Sequence, residues 1–90
     1  MDRDFFSSIS DRRDAFAKRH KIEDPIIELT FHTGRVVILE TVIDAGDGWL
    51  QIEAHDPLDE ETTLSLATAY HQIATVQFIP RKHRMGRTGF

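Results

Sequence analysis

Residues Leu64 to Pro80 read LSLATAYHQIATVQFIP. Leu64 and Leu66 alternate with polar Ser65, the two-residue period of a half-buried strand. After Tyr70-His71-Gln72 a second run, Ile73-Ala74-Thr75-Val76-Gln77-Phe78-Ile79, is rich in β-branched residues, and Pro80 stops it. The three-residue break holds neither glycine nor asparagine, so it lacks the turn signal of a simple hairpin. The stretch therefore predicts a sharp bend, after which the chain continues into a different part of a curved sheet. Such a bend leaves strand edges that something must cover.

Upstream, residues 4–21 predict one helix. Phe5, Ile9 and Phe16 fall at spacings of four and seven with Phe6 beside them, forming one apolar stripe. Ser7, Ser8 and Ser10 are candidate caps. Asp11 and Asp14 precede Lys18, Arg19 and Lys21, the order that suits the helix dipole. Pro25 disfavours the α conformation in the residue before it, so Glu23-Asp24-Pro25 ends the helix. A first strand covers 26–32, with Ile27, Leu29 and Phe31 on one face, and Thr33-Gly34 turns the chain. A second covers 35–43. Its centre, Val36-Val37-Ile38-Leu39, is apolar on both faces, so both faces are expected to be covered. Asp44 to Gly48 is a turn. A third strand covers 49–54, with Leu50, Ile52 and Ala54 inward and Trp49, Gln51 and Glu53 outward. Residues 55–62 read as an acidic loop containing Pro57.

One helix followed by five short strands predicts a mainly β fold, a small SH3-like or OB-like barrel. A ferredoxin-like arrangement needs a second helix, and residues 55–72 offer none. Ninety residues make one domain, placed at 1–80, with 81–90 a flexible basic tail.

The charge is segregated. Residues 1–35 hold seven Lys/Arg and seven Asp/Glu; residues 36–80 hold eight acids and no Lys or Arg; residues 81–90 hold four Lys/Arg and no acid. Nucleic-acid contacts would have to draw their cations from the two ends. The chain has no cysteine, no apolar run near the length of a membrane span and an opening MDRDFF unlike a signal peptide, so a cytoplasmic protein is the expectation. His20, His32, His55, His71 and His83 show no zinc-ligand spacing, and Asp56, Asp59, Glu60 and Glu61 lack that of a calcium loop. With no phosphate-binding, dinucleotide or nucleophile-triad pattern, neither an enzyme nor a cofactor is expected.

Taken in order, the motifs are a basic cluster ending the helix (Lys18-Arg19-His20-Lys21), a Thr33-Gly34 turn, Asp47-Gly48-Trp49, and Tyr70-His71-Gln72-Ile73-Ala74-Thr75-Val76 with Pro80 beyond. Over residues 5–82 this order resembles the Sm-like family, most closely its bacterial Hfq-type RNA chaperones. The resemblance implies a five-stranded bent barrel capped by an N-terminal helix. It also implies a homo-oligomeric ring closed by pairing of the last two strands between neighbours, and single-stranded RNA as partner. Leu39-Glu40-Thr41 stands where the family has a small glycine, and Tyr70 where the Hfq type has lysine.

The site residues follow. By strand alternation Trp49 points away from Leu50 and Ile52, and the resemblance makes it a base-stacking residue beside the pore; packing under the helix or a neighbouring subunit is the alternative. Tyr70 and His71 sit at the break, which the family turns toward the pore. There His71 hydrogen-bonds a base or phosphate and Tyr70 stacks; otherwise His71 caps backbone groups and Tyr70 fills a subunit contact. Lys18, Arg19 and Lys21 form a phosphate-binding rim or a solvated helix end, and Arg81, Lys82, Arg84 and Arg87 an electrostatic arm or a soluble tail.

Overall fold

The path that joins the two ends of the sheet decides the architecture. The computed structural model describes residues 2–81. The elements are α1 (Arg3–Ser7), α2 (Ile9–His20), β1 (Ile26–Phe31), β2 (Val36–Ala45), β3 (Trp49–Asp56), β4 (Asp59–Ala69), a one-turn 3-10 helix (Tyr70–Gln72) and β5 (Ile73–Ile79). Apart from Arg81, the expected basic tail lies outside the described residues.

The single expected helix is two. Ser8 adopts φ −108° and ψ 13° between them, and its hydroxyl donates to the carbonyls of Asp4 at 3.0 Å and Phe5 at 3.2 Å. This back-bonding competes with the helical ladder and breaks it. Phe6 from α1 and Ile9 from α2 both enter the core. No serine caps α1; the Asp2 carboxylate does, accepting from the Phe5 N–H at 3.1 Å. At the other end, Lys21 turns left-handed at φ 55° and stops α2 four residues ahead of Pro25.

The five strands form one antiparallel sheet in the order β4-β3-β2-β1-β5. The bend expected at residues 70–72 is the 3-10 helix, and it carries the chain from one edge of the sheet to the other. The sheet is open: no β4–β5 pairing occurs among the described residues, so the expected barrel is not closed. The acidic loop expected at 55–62 is also corrected. β3 runs on to Asp56, only Pro57 and Leu58 turn, and β4 starts at Asp59. The Asp56 carboxylate accepts from the Leu58 N–H at 2.8 Å and fixes this turn.

Where β2 pairs with β3 the register slips between Leu39 and Thr41, and again between Val42 and Asp44. Glu40 and Ile43 are thus extra residues that bend the strand, so β2 curves with no glycine in it. Gly34, at φ 92°, makes the β1–β2 turn that a side chain would strain.

The main core gathers Phe6 and Ile9 from the helices with Ile27, Leu29, Val37, Leu39, Leu50 and Ile52 from the sheet. Ile26, Ile38 and Ile79 form a second cluster. The centre of β2 is accordingly covered on both faces, Val37 and Leu39 in the first cluster and Ile38 in the second. No helix among the described residues is long and apolar enough to cross a membrane.

Candidate nucleic-acid interface

Trp49 opens β3 and is 64% exposed. Alternation puts it opposite to Leu50 and Ile52, both fully buried. Its register partner is Ala69, the last residue of β4, so the 3-10 helix begins on the neighbouring strand. Two residues beyond Ala69, His71 is exposed, its Nε2 lying 3.3 Å from Gln72 Nε2. The other side of this turn is anchored to the sheet, where the His32 N–H donates to the Gln72 carbonyl at 2.9 Å.

Tyr70 does not join the exposed surface. It is 8% exposed, its ring centroid lies 5.8 Å from that of Phe6, and its hydroxyl donates to the Gly46 carbonyl at 2.6 Å. The expected stacking of Tyr70 on a base is corrected, because the ring is part of the core and a base has no access to its face. Burial is the main reason that the Tyr70 hydroxyl is raised above its ordinary value of 10.0; Arg3 opposes the shift, while Asp44, Asp2 and Asp47 add to it. The group therefore stays a hydrogen-bond donor.

The Gly46-Asp47-Gly48 turn that delivers Trp49 is held from several directions. The Gly46 N–H donates to the Trp49 carbonyl at 3.0 Å, and a Cβ on Gly46 would sit 3.2 Å from that same oxygen. Asp47 Oδ1 accepts from Arg3 Nη1 at 2.6 Å, an exposed ion pair that ties α1 to the turn. Sequence reading missed this contact: Arg3 and Asp47 lie 44 positions apart, and nothing local marks either as the other's partner.

Lys18, Arg19 and Lys21 are all exposed. They stand elsewhere. Phe16, just before them, stacks on Phe78 at 6.0 Å, and Phe78 pairs with Ile27 at the start of β1. Ile27 pairs with Leu39 and Leu39 with Ala54, five residues along β3 from Trp49. The turn before Trp49 and the 3-10 helix that carries Tyr70 and His71 are thus joined through the Trp49–Ala69 pairing and the Tyr70–Gly46 hydrogen bond, while the helix cations follow Phe16, which packs on β5.

A second polar cluster also escaped the sequence. His55 is 8% exposed and neither ring nitrogen has a hydrogen-bond partner among the described residues; Glu40 Oε1, on the β2 bulge, lies 3.7 Å from its Nδ1. Among the described residues no group of His, Cys, Asp or Glu could hold a metal ion. The chain matches no protein-family model, no curated protein and no solved structure.

Proposed function

We propose that the chain is an Sm-like, ring-forming protein that binds single-stranded RNA. Copies join through β4 of one and β5 of the next, and bases stack on Trp49 with His71 alongside. The observation that carries this reading is the strand order, which among the described residues leaves β4 and β5 as two unpaired edges on opposite sides of one open sheet. Unpaired edges invite another strand, and head-to-tail pairing of unlike edges closes into a ring when the rotation allows. The order of the Thr33-Gly34, Asp47-Gly48-Trp49 and Ile73-Ala74-Thr75-Val76 motifs supports the same assignment. The exposure of Trp49 suits stacking on bases of any sequence. Lys18, Arg19 and Lys21 then make a separate rim for phosphates, and Tyr70 is withdrawn from the contact set.

Sedimentation together with filter binding of short oligoribonucleotides at low and moderate salt tests the proposal. The expected result is a particle much larger than one chain that retains RNA, more strongly at low salt. Rings that bind no RNA even at low salt overturn it.

One observation favours a second reading, an oligomeric scaffold or protein-interaction module with no RNA role. Residues 36–80 carry eight acids and no Lys or Arg. Such a surface repels phosphate. Trp49→Ala separates the two readings. RNA binding falls and assembly survives under the first; assembly itself weakens under the second.

A further inference from the structure

Trp49 and His71 are exposed residues of two segments that share one part-buried contact. Trp49 follows the turn whose Gly46 carbonyl receives the Tyr70 hydroxyl at 2.6 Å. His71 follows Tyr70 directly in the 3-10 helix. The Tyr70 ring is itself fixed, packed in the main core beside Phe6. A side chain with one end in the core and the other on a turn carbonyl sets the distance between the two segments it joins.

We infer that Tyr70 is a positioning residue: it holds the Trp49 turn and the His71 turn at one preset spacing, and an unstacked base is the ligand that this spacing serves. The ligand half rests on the RNA-binding reading; the positioning half rests on the contacts alone. Presetting matters because ordering a loop on binding subtracts from affinity, and a held turn avoids that cost. The raised Tyr70 hydroxyl stays protonated at neutral pH and so keeps donating. The Arg3–Asp47 pair holds the same turn from outside, but its two side chains are 55% and 92% exposed. Solvent screening leaves such a pair little strength, so the interior contact dominates.

Trp49 is the only tryptophan, and its fluorescence anisotropy reports the mobility of its turn directly. Four chains are compared: wild type, Tyr70→Phe, Arg3→Ala and Ile79→Val, the last lowering stability from the second core cluster. In Tyr70→Phe the ring still fills the core, Trp49 anisotropy falls, and affinity for a short mixed-sequence oligoribonucleotide drops about two- to tenfold, the worth of one hydrogen bond. Arg3→Ala and Ile79→Val leave both readings near wild type. Wild-type anisotropy in Tyr70→Phe, or an equal fall in Ile79→Val, overturns the positioning role. Lower anisotropy with unchanged RNA affinity overturns the link to the ligand. If no chain binds RNA, the functional reading fails while anisotropy still decides the positioning role.

Discussion

The Tyr70 hydroxyl reaches the Gly46 carbonyl at 2.6 Å, across 24 positions of sequence, and joins the break between the last two strands to the turn before Trp49. This bond is titratable. Tyr70 is held above its ordinary value of 10.0, mainly by burial, so the folded state keeps its proton longer than the unfolded chain does. Between the two values the unfolded state binds fewer protons, and stability falls as pH rises. The contribution is complete below about pH 10 and is lost above it. Denaturant melts from neutral pH upward are expected to show this alkaline loss in the wild type and a smaller one in Tyr70→Phe. Parallel curves would assign the loss to other groups.

Trp49→Ala is expected to weaken RNA binding by about 1–3 kcal/mol, the worth of stacking one base on an aromatic ring. With 64% of the residue exposed, little folding energy goes with it. Filter binding measures the first effect and thermal melting the second. Unchanged affinity removes Trp49 from the RNA surface.

The edge of β5 can be blocked without touching its faces. Along an antiparallel edge strand, successive N–H groups point alternately into the ladder and outward. Of Thr75→Pro and Val76→Pro, one removes a donor to β1 and destabilises the fold, while the other removes an outward donor. The outward substitution is expected to leave a folded chain that sediments as a smaller particle. If both folded variants assemble like wild type, β5 is not a joining edge.

Gly34→Ala is expected to cost about 1 kcal/mol, because alanine at φ 92° is strained even though nothing lies within 4 Å of the added Cβ. Gly48→Ala, equally open and without a positive φ, is the matched control and should be near neutral. Denaturant midpoints of the pair test whether backbone conformation alone sets the difference.

His55→Leu should be neutral or stabilising by about 1 kcal/mol, since an apolar side chain removes two buried nitrogens that have no hydrogen-bond partners among the described residues. Glu40 Oε1 lies 3.7 Å from Nδ1, beyond hydrogen-bond distance, so little is lost with it. A large destabilisation would mean that Glu40 closes on His55 in solution.

Local pattern was sufficient where one face of an element is buried and the other is not. In β3, Leu50 and Ile52 alternate with the less buried Trp49, Gln51 and Glu53, and the strand could be read directly from the period of two. Phe5, Ile9 and Phe16, with Phe6 beside them, marked the helical stripe, and the break at Tyr70-His71-Gln72 was visible because an alternating run precedes it and a β-branched run follows it with no hairpin signal. Pattern failed where burial gives no contrast. The first five residues of β4, Asp59 to Thr63, are exposed throughout, so this edge strand has no apolar face and read as a loop. The Asp56-Pro57 pair was the missed turn signal. Ser8 broke the helix through hydroxyl bonds to Asp4 and Phe5, an option that the apolar stripe does not register.

The sequence by itself determined the order of a helical segment followed by strands, the bend after Ala69, the outward side of Trp49 and the segregation of charge. These follow from side-chain period and composition, which act over a few residues. Only the tertiary structure decided that the sheet stays open and that Tyr70 belongs to the core and not to the surface. Those outcomes depend on which groups meet across long separations: a hydroxyl with a carbonyl 24 residues away, a guanidinium with a carboxylate 44 away. Loop geometry and core packing select such meetings, and no local run of residues encodes them.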